Sequence, residues 1–425
     1  MRVHRTLYLE KLVQRMHNGM IKIITGLRRS GKTYLLFNIF VDYLKEQHVP
    51  QDRIIKISLD TLEGAEFRDP EVLLNYIENK IKDDHECYYV LIDEIQYAIS
   101  NEEYRSEKPP RIYDALNSLI KMKNVDTYIT GSNSHLLSCD VLTEFRGRGD
   151  EIRLHPLSFS EFMQAYPDDI YKGLDCYMHY GGMPQCVLMQ DEKQKALYLK
   201  QLFNETYLKD MLSRHNLRKS HELESLVNII ASNIGSLTSV TKISSTFRSA
   251  LQTSLSPNTI KQYLTFLEDA FLISEAKRFD VKGRRYIGAQ EKYYFEDLGL
   301  RNALLNFRQL EHNHIMENII YNELRLRDFS VDVGVVPVRT KSGEKKQLEA
   351  DFVVNFADDR YYIQSAYSLY DAHKRQQELE PLLRISDNFK KCIVVHDIVS
   401  PYKDENGIST ISIYDFLLNP NALLL

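Results

Sequence analysis

Apolar residues in the first third of the chain fall in short continuous runs separated by stretches with helical periodicity. The runs are Ile21-Lys22-Ile23-Ile24, Arg53-Ile54-Ile55-Lys56-Ile57-Ser58-Leu59, Tyr88-Tyr89-Val90-Leu91-Ile92, Val125-Asp126-Thr127-Tyr128-Ile129 and Glu151-Ile152-Arg153-Leu154. Near-continuous apolar strands alternating with helices are the mark of a parallel sheet covered on both faces. They predict an α/β fold built on a five-stranded parallel sheet. His155-Pro156 interrupts the pattern, and helical periodicity dominates from residue 158 to 215. Three further helices open at Ser220-His221-Glu222, Ser239-Val240-Thr241 and Ser256-Pro257-Asn258. Residues 271–287 then read as a hairpin with the basic tip Lys282-Gly283-Arg284-Arg285. From residue 315 the order is helix, strands at 331–336, 347–354 and 360–366, helix at 371–385 and strand at 391–395. These breaks divide the chain into residues 1–155, 156–215, 216–305 and 306–425.

The first apolar run ends in Gly26-Leu27-Arg28-Arg29-Ser30-Gly31-Lys32-Thr33, which satisfies G-x-x-x-x-G-K-[ST] at each fixed position. A strand enters it and the helical stretch from Thr33 to Phe40 leaves it, the context a phosphate-binding loop requires. Two glycines let the backbone wrap an anion so that N–H groups and a helix N-terminus face the phosphates. Lys32 would meet the β and γ oxygens, and the Thr33 hydroxyl would ligate Mg²⁺. These residues predict a P-loop NTPase sheet that binds a nucleoside triphosphate with Mg²⁺.

The third run ends in Asp93-Glu94, at the carboxyl end of its strand, where open α/β sheets place their ligands. Asp93 would hold Mg²⁺, and Glu94 is the candidate base that polarises the attacking water. The fourth run enters Gly131-Ser132-Asn133-Ser134, so Ser132 and Asn133 could orient that water or read the γ-phosphate. Both are also ordinary turn residues. Placing the Ser132 strand between the other two would gather all three motifs in one crevice. In Glu144-Phe145-Arg146-Gly147-Arg148-Gly149, the arginines read either as a finger for a neighbouring subunit's nucleotide or as a solvated basic loop.

With Arg5-Thr6-Leu7-Tyr8-Leu9-Glu10-Lys11-Leu12, the phosphate loop, Asp93-Glu94-Ile95-Gln96, Thr130-Gly131-Ser132-Asn133-Ser134, Arg146-Gly147-Arg148 and Leu157-Ser158-Phe159-Ser160-Glu161-Phe162, the chain resembles the prokaryotic AAA-type ATPases of the archaeal-ATPase kind. Tyr180-Gly181-Gly182-Met183-Pro184 and Tyr294-Phe295-Glu296-Asp297-Leu298-Gly299-Leu300-Arg301-Asn302 are similar to later landmarks of that family, so the resemblance spans nearly the whole chain. It implies a nucleotide-binding core over 1–155, a helical lid over 156–215, a winged-helix module over 216–305 and a restriction-nuclease-like domain over 306–425. It also implies Arg148, ahead of Arg146, as the preferred finger; a finger demands a neighbour in a homo-oligomer, whereas a monomeric switch does not. It implies no particular substrate.

The two later regions carry their own chemistry. A winged helix would place the Lys261 helix in a DNA major groove and Lys282, Arg284 and Arg285 on phosphates. Such modules also serve as protein contacts. The C-terminal order of elements matches a restriction-nuclease-like core, which carries an acid on its second strand and E-x-K on its third to bind Mg²⁺ and align water. Asp351 supplies the first, with Glu317 or Glu323 as support, but the third strand reads Gln364-Ser365-Ala366. Lys374 could replace the missing lysine only by reaching back from the next helix. The expectation is a degenerate domain that binds a protein partner, so that the whole is an ATP-driven switch; the alternative is an ATP-regulated nuclease using Asp351.

Composition narrows the setting. The 425 residues, 43% hydrophobic and 27% charged at net charge −5, suffice for several cores. No window has the apolar length of a membrane span, and Met1-Arg2-Val3-His4-Arg5 leads into a charged amphipathic helix unlike a signal sequence. The five scattered cysteines lack any Cys-x-x-Cys pair and read as reduced thiols, and His312 and His314 as a surface pair. A cytoplasmic protein is expected.

Overall fold

The computed structural model describes residues 3–82, 86–100, 102–103, 108–132, 148–166, 168–214, 220–288, 290–339 and 343–424. The chain divides into two compact units, Met1–Pro156 with Asp269–Phe271, and Leu157–Glu268 with Leu272–Leu425.

In the first unit, strands β1 (Ile21–Thr25), β2 (Ile54–Ser58), β3 (Tyr88–Asp93), β4 (Val125–Thr130) and β5 (Gly149–Arg153) form one parallel sheet in the order β2-β3-β4-β1-β5. Every residue of β1 and β3 is buried, as expected of strands covered on both faces. One face packs Ile23, Ile57, Val90 and Ile92 against Leu73, Ile77, Leu116 and Leu119. The other packs Ile24, Leu91, Tyr128 and Ile152 against Tyr8, Leu12, Leu36 and Phe40. Phe40 lies on Tyr128 with ring centroids 4.6 Å apart. This is the P-loop NTPase fold, and β4 lies between β3 and β1 as the motif spacing required.

The second unit begins with helices. Phe159–Ala165 is closed by a capping box in which Ser158 and Glu161 satisfy each other's backbone N–H. Ile170–Tyr180, Glu192–Leu202, Ser220–Ser232, Val240–Ala250 and Pro257–Asp269 follow. The strands after them pair differently from the sequence expectation. β6 (Ile273–Ala276) is not the partner of Tyr286-Ile287. With β7 (Arg278–Asp280), β8 (Arg285–Tyr286) and β9 (Lys292–Phe295) defined, β6 pairs antiparallel with β9, and β7 with β8.

The hairpin with the basic tip therefore does not stand alone. β7 runs parallel to β10 (Ser330–Arg339), so β7 and β8 form one edge of an eight-stranded sheet. That sheet continues through β11 (Lys345–Phe356), β12 (Asp359–Ala366), β13 (Lys390–Val395), β14 (Tyr402–Lys403) and β15 (Ser409–Ser412), in the order β14-β15-β13-β12-β11-β10-β7-β8. The unpaired N–H and C=O groups of a β10 edge would favour such an added strand. Lys282 Nζ donates to the Pro337 carbonyl at 3.0 Å, tying the tip to the same edge.

The two glycine-rich family landmarks act on each other. Asp297 accepts the Gly182 N–H at 2.7 Å and caps helix Leu298–Leu304 through the Leu300 N–H at 2.9 Å. Asn302 Nδ2 donates to the carbonyls of Met178 and His179 at 3.0 and 2.9 Å. Gly181, at φ +71°, has no room for a side chain, because a Cβ would stand 2.5 Å from the Asp297 carboxylate. Tyr180-Gly181-Gly182 and Glu296-Asp297-Leu298-Gly299 are thus the two halves of a clasp. No helix among the described residues is long and apolar enough to cross a membrane.

Candidate active site

The carboxyl ends of β1, β4 and β3 lie side by side, with Ile24 opposite Thr130 and Ile92 opposite Ile129. Everything that follows β1 and β3 is therefore delivered to one crevice. Gly26 turns the chain at φ 132°, and a Cβ there would stand 2.1 Å from the Leu154 carbonyl oxygen. Arg29 at φ 63° and Gly31 at φ 100° complete the left-handed turns that curl the loop. Arg5 holds it from outside: its guanidinium donates to the carbonyls of Ser30 at 3.2 Å and His155 at 2.7 Å. Oxygens that would repel an anion are thereby engaged by a buried cation.

Inside the loop, Lys32 Nζ donates to the Gly26 and Leu27 carbonyls, both at 3.0 Å. Burial pulls its pKa down to about 8, partly opposed by Glu94 and Asp93. The ammonium thus rests on neutral acceptors that a phosphate can replace. The buried Ser30 hydroxyl has no hydrogen-bond partner among the described residues, an unmet polar group within the loop. Arg29 is exposed. Thr33 lies in the first turn of the departing helix, which begins at Lys32 and loosens to i→i+5 bonding over Leu35–Phe40.

Asp93 stands between two threonines. Thr33 Oγ1 donates to its Oδ2 at 2.8 Å and Thr130 Oγ1 to its Oδ1. Burial raises its pKa, while the threonine hydrogen bonds oppose the rise. Glu94 is in the left-handed region at φ 55°, and its N–H donates to Thr130 Oγ1 at 3.0 Å. A non-glycine residue there is uncommon and strained. Its carboxylate accepts from Gln96 Nε2 and, at 3.3 Å, from Ser132 Oγ. Arg28 Nε donates to Ser132 Oγ at 3.1 Å, which closes the network across the crevice.

The structure therefore brings Lys32, Thr33, Asp93, Glu94, Arg28 and Ser132 together. Asn133 and Arg146 lie outside the described residues. Arg148 does not join them. It is exposed and precedes β5, where its carbonyl accepts the Ile21 N–H at 2.9 Å, at the amino end of β1. A strand of this length spans roughly 16 Å, so Arg148 is at the far end of the sheet from its own phosphate loop. Thr130, Gln96 and Arg5 lie within the family landmarks, whose spacing assigns them no role. A hydroxyl one residue before the Gly131 turn was the available signal for Thr130.

In the second unit, Glu317, Asp351 and Gln364 line one cavity of about 460 Å³, with Lys374 at its wall. Glu323 is not there; it pairs with Arg327 at 2.8 Å. Lys292, which no sequence motif marks, occupies the cluster. Its Nζ is 2.7 Å from Glu317, 2.8 Å from Glu349 and 4.0 Å from Asp351.

The sequence matches the AAA domain family over residues 18–163 and a domain of unknown function (DUF8612) over residues 171–311. It is 34% identical to an uncharacterized protein of Haemophilus influenzae, over 98% of each chain. To the uncharacterized protein MJ1544 of Methanocaldococcus jannaschii it is 28% identical over 93% of this chain and 85% of that one. Among solved structures, that of the Aeropyrum pernix ORC2 protein (ADPNP-ADP complexes) is similar at 14% identity over 74% of this chain and 94% of that one. The TM-score is 0.37. The chain belongs to one family with the Haemophilus protein. Its phosphate-loop unit is an AAA domain, and the protein is an AAA-type ATPase.

Proposed function

We propose that the protein is a Mg²⁺-dependent ATP hydrolase working as a nucleotide-driven switch. The observation that carries this reading is Asp93, held between Thr33 of the phosphate loop and Thr130 of the neighbouring strand, with Glu94 beside it. Loop N–H groups and Lys32 would bind the phosphates, and the unmatched Ser30 hydroxyl supports a polar ligand there. Thr33 and Asp93 fit a hard cation in chemistry and proximity. Mg²⁺ bound there would neutralise charge on the β and γ oxygens. Glu94 would accept a proton from the attacking water, after exchanging its bond to Gln96 for one to that water. Ser132, with Asn133, would orient the γ-phosphate end, and Arg28 would steer Ser132.

The four-part division into core, lid, winged-helix module and degenerate nuclease-like domain belongs to the same reading. So does Arg148 as a finger acting only across a homo-oligomer, since its own loop is a sheet's length away. Lys261, Lys282, Arg284 and Arg285 are all exposed, which suits phosphate contacts with DNA. The C-terminal domain would bind a protein partner. For nuclease chemistry, nothing at Gln364 or Ala366 favours that alternative.

The test is ATP binding and turnover in three proteins. Lys32→Ala should bind ATP at least tenfold more weakly, the cost of about 1.4 kcal/mol. Glu94→Gln should bind as tightly as the wild type and turn over at least a hundredfold more slowly. Equal turnover in all three would refute the site.

A further inference from the structure

The C-terminal sheet gathers carboxylates in the way a divalent-cation site does. Asp351 on β11 and Glu317 on helix His312–Leu326 face the same cavity, and Glu349 joins them from β11. Hard oxygen donors converging on one point would suit Mg²⁺ or Mn²⁺. Yet among the described residues no three such side chains are arranged to hold a metal ion. A lysine ammonium sits among these carboxylates instead.

We propose that the ammonium of Lys292 is an internal replacement for a divalent cation, which seals this cavity against metal. Lys292 is almost wholly buried, and its Nζ contacts Glu317 at 2.7 Å and Glu349 at 2.8 Å, with Asp351 at 4.0 Å. Its placement is not incidental. β9 pairs with β6, Ala276 opposite Lys292, and leads directly into the Asp297 clasp, so the strand that carries the lysine is fixed at both ends.

The surrounding groups are matched to a single positive charge. Tyr294 OH donates to Glu317 Oε1 at 2.6 Å, and the Ser365 N–H donates to Asp351 Oδ2 at 2.8 Å. Burial disfavours the ammonium, but Glu317, Asp351 and Glu349 outweigh it and hold Lys292 charged. Burial and the charge of Glu317 push Asp351 well above the usual carboxylate range, while Lys292, against burial, keeps Glu317 below it. Gln364 cannot add a charge: it accepts the Asp351 N–H at 3.3 Å and donates to Glu378 at 2.9 Å. His314, which faces Glu317 at 3.8 Å, and Lys374 are the other cationic groups lining the cavity.

This predicts that removing the ammonium creates metal affinity. Lys292→Met keeps the length and loses the charge, leaving carboxylates together that only a cation or protons can relieve. The measurement is Mn²⁺ titration by calorimetry on the nucleotide-free full chain, in an Asp93→Asn background so that the other unit contributes no metal. The wild-type lysine should give no binding at millimolar Mn²⁺. Lys292→Met should bind Mn²⁺ and lose it again with Asp351→Asn. If Lys292→Met is too unstable for titration, its melting temperature should rise with Mn²⁺ while that of Lys292 protein does not. Three results would overturn the proposal: Mn²⁺ binding through Asp351 with Lys292 intact, no binding or melting shift in Lys292→Met, or Mn²⁺-dependent DNA cleavage by the wild type that Lys292→Met abolishes.

Discussion

Thr130→Val tests the crevice at a residue whose hydroxyl serves Asp93 and Glu94 and not the phosphates. Valine has the same shape, so the buried position stays filled, but both hydrogen bonds of the hydroxyl vanish. The bond to the Asp93 carboxylate has a charged acceptor, worth about 1.5–3 kcal/mol, and the Glu94 N–H loses its partner at about 1–3 kcal/mol. A stability loss of about 3 kcal/mol is expected, with Thr33 still holding the other Asp93 oxygen. The pH dependence has a definite sign. Burial raises Asp93 already, so the folded state binds more protons than the unfolded one, and ionising it costs stability as pH rises above about 3.9. Losing the hydroxyl raises Asp93 further, so the variant's deficit should grow from acid to neutral pH and shrink below pH ~4. Turnover should fall about tenfold or more, because Glu94 loses the anchor that holds it at φ 55°, and the Mg²⁺ needed for half-maximal rate should rise. Denaturant melts at two pH values and Mg²⁺ titrations of ATP turnover measure both effects. Wild-type stability together with an unchanged Mg²⁺ requirement would show that Thr130 positions neither acid.

Two other measurements probe shifted groups. Lys32 sits at about 8 before nucleotide arrives, and phosphate contact should raise it, so ATP binding should take up protons and weaken as pH climbs above that value; calorimetry in buffers of different ionisation heat reads the uptake, and Lys32→Arg should abolish it. Burial, against the N–H groups of Leu300, Gly182 and Gly299, raises Asp297 to about 6. Its ionised form therefore costs stability, so the wild type should lose up to about 3 kcal/mol relative to Asp297→Asn as pH rises from ~4 through ~6, and a flat difference across that window in melts would contradict the clasp's charge state.

Legibility in the sequence followed the range of the interactions. The sheet of the first unit could be read because each strand is a local apolar run and the phosphate loop fixes one strand end by glycine geometry. The order that puts β4 beside β1 followed from requiring the motifs to meet. What escaped were pairings over long separations. The run 271–276 carries no local mark showing that its partner is Lys292–Phe295, or that Arg278–Asp280 joins β10. Buried cations were hidden for a related reason. Lys22, in the middle of an apolar strand, carries no local mark of its partner, yet it is fully buried with its ammonium on Asp126 and the Met20 carbonyl. Lys292 has the same disguise, and Arg5 shows its purpose only through Ser30, far along the chain.

The buried lysines Lys22, Lys32 and Lys292 show how partner chemistry separates structure from binding. Lys22 pairs with Asp126 and lies over the Tyr128 ring, so it joins β1 to β4 at the amino end of the sheet. Lys292 is surrounded by carboxylates that keep it charged and occupied. Lys32 alone of these bonds only carbonyl oxygens, and burial lowers its pKa to about 8. An ammonium on an ionised partner gains little by exchanging it for a phosphate, since one anion merely replaces another and a buried charge is stranded. An ammonium on neutral carbonyls gains the full charge-assisted bond. An anionic ligand is therefore drawn to Lys32 and refused by Lys292, whose ammonium is already held by Glu317 and Glu349. Any DNA contact by the second unit has to be made elsewhere on its surface, at exposed cations such as Lys261, Arg284 and Arg285.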